Sequence, residues 1–157
     1  MDLRLSLNLP EDFSHLPMVR RVAREALASF GVAAQDVDDL EALVGELAAN
    51  AVRHARAHES YQIEVTLCDH QATVTVTDQG VGFSREAVGE AGTERAGDRR
   101  GGGDRGVEER FGGWGLPLVE ALADRVEYQT NAPRGTTVRA EKSLHVTAAS
   151  DDPAHAT

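Results

Sequence analysis

The chain has 157 residues, 41% of them hydrophobic, and a formal net charge of -10 at pH 7. This composition supports one folded domain of ordinary size and excludes a chain that is disordered throughout. The acidic surplus argues against nucleic acid as a partner, and no apolar run reaches the roughly 18 residues of a membrane span.

The first half of the chain is predicted to hold a strand and two helices. A short strand is expected at residues 6–10. Apolar side chains recur at helical spacing over residues 16–30, and Gly31 is expected to end that helix. A second helix with one apolar face follows, capped at its start by Asp36 or Asp38.

The second half is predicted to hold four strands and one helix. Apolar and polar residues alternate over 61–67 and again over 72–78, which indicates an antiparallel hairpin. A helix is expected within 114–126, followed by strands at 126–130 and 136–144. This order predicts an α+β fold, a two-layer sandwich with helices packed on one face of a mixed, mostly antiparallel sheet.

Residues 84–113 have a different composition from the rest of the chain. They hold many of its glycines and many charged side chains but few apolar ones. An insertion of this length and composition indicates a mobile lid. We therefore expect one domain over residues 1–144, with its lid at about 84–113, and a flexible tail over 145–157.

Four short motifs hold residues suited to a binding site. Glu46 and Asn50 flank the apolar seam of the second helix, one turn apart. Glycines after a strand allow a flat ligand to approach the backbone, and free amides at a helix start favour a phosphate. The other three motifs are Asp78-x-Gly80-x-Gly82, Gly113-x-Gly115-Leu116 and Gly135-Thr136-Thr137.

The order of these motifs resembles the ATP-binding fold that gyrase, sensor histidine kinases and MutL share. The resemblance covers about residues 40–140. The stretches ELAANAVRHA, from position 46, and GGWGLPLVEALADRVEY, from position 112, are more similar to the small bacterial anti-sigma-factor serine kinases. Membership of that group implies Mg²⁺ and ATP as cofactors, bound beneath a mobile lid.

The resemblance also implies a role for each motif residue. Asn50 would ligate Mg²⁺ through its amide oxygen, and Glu46 would act as the general base toward a seryl hydroxyl. Asp78 would accept a hydrogen bond from the adenine amino group. The remaining matches are Gly82 against the adenine ring, Gly80 beside it, Gly113, Gly115 and Leu116 at the phosphates, and Thr136 near the adenine.

Positive charge near the γ-phosphate would come from Arg53 and from the lid residues Arg105 and Arg110. The implied partners are an anti-sigma antagonist protein, whose serine is the substrate, and a sigma factor. A homodimer is also expected. One cysteine, Cys68, and a start without a secretory pattern favour the cytoplasm.

Two alternatives remain open at the level of the sequence. A protein with the same pocket can bind ATP and sequester a partner without phosphorylating it. A zinc site is the other alternative, because His54 and His58 are spaced one helical turn apart and Cys68 and His70 follow.

Overall fold

The computed structural model describes residues 2–53, 59–79, 115–131 and 134–145. Within these ranges the chain forms five strands, three α-helices and a 3₁₀ turn at Phe13–His15. The expected lid and nearly all of the expected tail lie outside the described residues. The strands and helices are β1 Leu3–Pro10, α1 Leu16–Ser29, α2 Ala34–Arg53, β2 Ser60–Cys68, β3 Gln71–Asp78, α3 Gly115–Leu122, β4 Arg125–Thr130 and β5 Thr136–Ser143.

The strands form one sheet in the order β1-β2-β3-β5-β4, and each of its four neighbouring pairs is antiparallel. Strand β5 lies between β3 and β4, so β4 forms one edge of the sheet. Alternate residues of the inner strands are buried, as the sequence pattern predicts. The helices cover this buried face, which confirms the α+β sandwich.

Helices α1 and α2 form a hairpin that covers the sheet. The turn between them starts at Gly31, whose φ of 73° lies in the left-handed region. The N–H of Gly31 donates to the carbonyl of Ala28, and that of Val32 to the carbonyl of Leu27. These two bonds form a Schellman motif, which confirms that Gly31 ends the first helix.

Close contact between α1 and α2 explains a glycine in the middle of α2. The Arg20 side chain of α1 lies across Gly45, and a Cβ at Gly45 would come within 2.6 Å of Arg20 Cζ. Gly45 therefore makes room for the guanidinium. The described helices include none that is both long enough and apolar enough to cross a membrane.

The expected cap of the second helix is wrong. Helix α2 begins at Ala34, before Asp36 and Asp38, so neither residue occupies the capping position. Asp36 is instead completely buried and joins α2 to His145, two residues after β5. Its Oδ2 accepts a hydrogen bond from the N–H of His145 over 2.6 Å, and its Oδ1 lies 3.0 Å from His145 Nδ1.

The contact with His145 predicts that Asp36 contributes more to stability than its neighbour Asp38. Asp36→Ala should lower the free energy of unfolding by about 1–3 kcal/mol, because it leaves a hydrogen-bond donor without its charged acceptor. Asp38→Ala is the matched control and should cost less than about 1 kcal/mol, since its ion pair with Arg24 is exposed. Urea denaturation measures both, and an equal or larger loss for Asp38→Ala would contradict the assignment.

Candidate functional site

The strand order brings three of the four motifs to one end of the sandwich. Helix α2 ends at Arg53, close in the chain to the start of β2. Because the sheet is antiparallel, β1 and β3 end where β2 and β5 begin. Asn50, Asp78 and Thr136 therefore belong to the same end of the molecule.

Helix α2 presents a narrow polar strip at this end. From Leu43 to Val52 each residue is buried except Glu46 and Asn50, and both of these are half-buried. Arg53 extends the strip by almost one more turn, and its Nη1 donates to Asn50 Oδ1 over 3.0 Å. The strip thus holds a carboxylate, an amide and a guanidinium at the boundary between core and solvent.

Asp78 and Thr136 are directly opposite each other in the β3–β5 ladder. Thr136 is buried, with 4% of its surface exposed. Gly135, just before it, has a φ of 112°, and a Cβ at this position would collide with the carbonyl oxygen of Asp78 and come within 3.3 Å of Gln79 Cα. Glycine is required here because the turn before β5 lies directly against the end of β3.

Hydrogen bonds hold the ends of β3 and β5 together. The hydroxyl groups of Thr77 and Thr137 are 3.2 Å apart, and Asn131 Nδ2 donates to Thr137 Oγ1 over 3.0 Å. These bonds join the end of β3, next to Asp78, to the start of β5. The sequence indicated only a turn before a strand at Thr137, and it did not show that Thr77 is the partner of Thr137 across the sheet.

Gly115 is the first residue of α3, and Leu116 follows it in the first turn. This placement agrees with a helix that begins at the third motif. The other expected site residues lie outside the described part of the chain: Gly80, Gly82, Arg105, Arg110 and Gly113.

The same end of the sheet holds charged residues that the sequence did not single out. Arg134 lies just before β5 and forms an ion pair with Glu59, which lies just before β2. Because β3 lies between β2 and β5 in the sheet, this ion pair spans the end of β3. Glu11, just after β1, is nearby, and its pKa is raised to about 7 by burial and then by the charges of Glu59 and Asp78, while Arg134 lowers it. Every second residue of β1 and β2 faces the core, and Glu11 and Glu59 continue this alternation one step beyond the strands. The alternation could therefore have predicted that both side chains face inward.

A zinc site receives no support from the described part of the chain. Across residues 2–53, 59–79, 115–131 and 134–145, no three His, Cys, Asp or Glu side chains are grouped to hold a metal ion. Cys68 is exposed. His54 and His58 lie outside the described residues.

Comparison with known proteins finds relatives that cover most of the chain. The chain is similar to the serine-protein kinase RsbW of Bacillus velezensis, with 27% identity over 148 residues that cover 90% of this chain and 86% of that protein. It is also similar to the anti-sigma F factor of Clostridium botulinum, with 24% identity over 150 residues that cover 87% of this chain and 97% of the other.

The fold is shared with the crystal structure of the RsbU and RsbW domains of Rv1364c from Mycobacterium tuberculosis. The TM-score is 0.64 and the identity 23%, and the match covers 90% of this chain and 32% of that one. The model of the histidine kinase-like ATPase domain matches residues 9–142, which include the strip on α2, Asp78 and Thr136. The chain therefore belongs to the family of histidine kinase-like ATPase domains.

Proposed function

We propose that this protein is a Mg²⁺- and ATP-dependent protein serine kinase of the anti-sigma type. Its substrate would be a serine on an anti-sigma antagonist, and its second partner would be a sigma factor. The observation that carries the proposal is the polar strip of α2, Glu46 and Asn50, at the same end of the sandwich as Asp78 and Thr136. The names of the relatives support the choice of kinase and partners.

The nucleotide would lie between α2 and the ends of β3 and β5. Asp78 would accept a hydrogen bond from the adenine amino group, with Thr136 beside it. The fixed ends of β3 and β5 favour this role, because a rigid acceptor loses little entropy when the base binds. Gly80 and Gly82 would lie along the base, and the amides of Gly113 and Gly115, with Leu116, would meet the phosphates at the start of α3.

Asn50 and Arg53 would both help to neutralise the charge of the phosphates, Asn50 by binding Mg²⁺ and Arg53 by pairing with a phosphate oxygen. Mg²⁺ prefers oxygen ligands and keeps several waters, so one amide oxygen together with phosphate oxygens is sufficient. The same Oδ1 accepts the hydrogen bond from Arg53. Metal binding at Asn50 would therefore release the Arg53 guanidinium, which could then pair with a phosphate oxygen, with Arg110 as a second cation.

Glu46 would act as the general base. It lies one turn before Asn50, with about 5–6 Å between their Cβ atoms, so it is close to the metal-bound phosphates. Glu46 would take the proton of the seryl hydroxyl while that oxygen bonds to the γ-phosphorus. The bond from the γ-phosphorus to the bridging oxygen breaks, and ADP leaves with the electron pair. The rest of the catalysis is positioning and neutralisation of charge.

The cellular setting belongs to the same proposal. We expect a cytoplasmic protein that forms a homodimer, with the lid at about 84–113 covering the nucleotide and the domain extending over residues 1–144. A nucleotide-binding module that sequesters its partner without phosphorylating it is the alternative. The low apolar content of residues 84–113 favours this alternative, since few side chains there can anchor a closed lid.

Replacing Glu46 separates phosphotransfer from nucleotide binding. Glu46→Ala should lower the rate of phosphotransfer at least about 100-fold, because the hydroxyl loses its base, and change ATP affinity less than about threefold. The assay incubates partner proteins captured from the native cell with labelled ATP and follows label on serine. Glu25→Ala, an exposed change on α1, is the control. A normal rate for Glu46→Ala would remove Glu46 as the base, and capture by the unmodified protein without any label would favour the sequestering module.

Replacing Asn50 should remove the contribution of the metal to binding. Calorimetry with ATP, in Mg²⁺ and then in excess chelator, should show a clear gain from Mg²⁺ in the unmodified protein. In Asn50→Ala that gain should fall at least about tenfold, since the protein ligand is lost. Asn8→Ala, an exposed amide on β1, should retain it. An undiminished effect of Mg²⁺ in Asn50→Ala would refute the ligand assignment.

A further inference from the structure

Three further polar side chains lie at the same end of the sheet as Asp78. Glu11 follows β1, Glu59 precedes β2, and Tyr61 is the second residue of β2. The N–H of Glu11 donates to the carbonyl of Glu59 over 3.1 Å, and Leu9 faces Tyr61 in the β1–β2 register. The three side chains are therefore neighbours, at the ends of the two strands that precede β3 in the sheet.

These side chains have buried polar atoms that nothing in the described chain satisfies. Both carboxylate oxygens of Glu11, Oε2 of Glu59 and the hydroxyl of Tyr61 are shielded from solvent and have no hydrogen-bond partner there. Tyr61 as a whole is only 1% exposed. Burial of such atoms costs free energy unless protein, water or a ligand pairs with them. Their concentration beside Asp78 indicates that a polar group binds at this place.

The surroundings of Glu11 favour its neutral form. Burial is the largest cause that raises its pKa from 4.5 to about 7, and the carboxylates of Glu59 and Asp78 raise it further. Arg134 acts in the opposite direction, but it is already paired with Glu59. Burial and then Glu11 also raise the pKa of Tyr61. A metal ion is an unsuitable occupant, since no group of described acidic side chains is arranged to hold one.

We propose that Glu11 and the Tyr61 hydroxyl form a second polar wall of the nucleobase pocket beside Asp78, and that Glu11 carries a proton when the base is bound. This inference rests on the nucleotide site proposed above. A neutral carboxyl and a hydroxyl each offer a donor and an acceptor. The pair can therefore satisfy each other and still present one donor and one acceptor to the base edge, directly or through a water. An ionised Glu11 would add only acceptors next to those of Asp78.

The proposal couples nucleotide binding to a proton. A base that accepts a hydrogen bond from the neutral Glu11 carboxyl favours the protonated form and raises the pKa of Glu11 further, so binding takes up a proton. With the pKa of Glu11 at about 7, about half of this carboxyl would carry a proton in the free protein at pH 7, so the uptake should approach about 0.5 proton. Affinity should fall as the pH rises above 7, by up to about tenfold per pH unit.

Calorimetry of the full chain with ADP and Mg²⁺ at pH 7 tests this coupling. Two buffers with different ionisation enthalpies, phosphate and Tris, give the number of protons taken up. Any proton exchanged by the ADP phosphates is common to all variants, so the difference between variants isolates Glu11. Glu11→Gln should take up about 0.5 proton less than the unmodified protein. The matched control Glu25→Gln, an exposed carboxyl on α1, should match the unmodified protein.

The outcomes of this experiment separate the two proposals. Equal proton uptake in Glu11→Gln and the unmodified protein, with binding intact in both, would overturn the role of Glu11 and leave the nucleotide site in place. Absence of binding heat in every variant would overturn the nucleotide site itself, and with it the role of Glu11.

The stability of the free protein gives a second test of Glu11 that needs no nucleotide. Between pH 4.5 and about 7 the folded state holds more protons at Glu11 than the unfolded state, so ionisation destabilises the fold as the pH rises. The stabilisation by Glu11→Gln should therefore grow over this interval and level off above it. Urea denaturation at several pH values measures the effect, with Glu25→Gln as the control. A difference that is independent of pH would contradict the buried, proton-binding state.

Tyr61→Phe should separate binding from folding. It removes a buried hydroxyl without a described partner, so the stability of the free protein should stay the same or rise. The affinity for ADP should fall by about threefold to tenfold, because the pocket loses one hydrogen-bonding group. Tyr128→Phe, on the edge strand β4, is the control and should bind ADP normally. Unchanged affinity in Tyr61→Phe would remove the hydroxyl from the site.

Discussion

The packing of α2 is the constraint on which the rest of the structure depends. This helix contacts α1 and α3 within the helical layer and lies on β2 and β3, so the core surrounds most of its second half. Beyond Leu43, only Glu46, Asn50 and Arg53 keep part of their surface outside the core. Their spacing of four and three residues keeps them on one strip, since one helical turn is about 3.6 residues. A rotation by one residue would bury this strip and expose apolar groups.

The sheet fixes the other wall of the site by a different means. Its strands reach the site end in alternating directions, so residues far apart in the chain become neighbours. Gly135 allows the turn before β5 to lie against the Asp78 carbonyl, and the Glu59–Arg134 ion pair spans the end of β3. This ion pair is partly exposed and contributes little stability by itself. Its consequence is electrostatic, because Arg134 offsets part of the negative charge that gathers around Glu11.

Local patterns in the sequence predicted most of the fold. The alternation in β2 and β3 gave the strands and their buried face, and Gly31 marked the end of α1. The start of α2 was missed because Asp36, which resembles a helix cap, is used for a contact with His145, two residues after β5. Contacts between residues more than a hundred positions apart leave no local signal.

The candidate site could be predicted only in part for the same reason. The motif order indicated Glu46, Asn50, Asp78 and Thr136. The structure places Asn50, Asp78 and Thr136 at one end of the sandwich, and Glu46 lies one helical turn before Asn50. Their chemical roles stay predictions. Glu11 was missed because a single charged residue after a strand is usually solvated. The pairing of β1 with β2 buries Glu11, and the carboxylates of Glu59 and Asp78, which the neighbouring strands bring close, raise its pKa further.

Calorimetric titration of the purified chain with ATP in the presence of Mg²⁺ tests the central claim most directly. The proposed site predicts measurable binding heat below millimolar ATP, with about one nucleotide per chain at saturation. Absence of heat with both ATP and ADP at millimolar concentration, from protein shown to be folded, would contradict it.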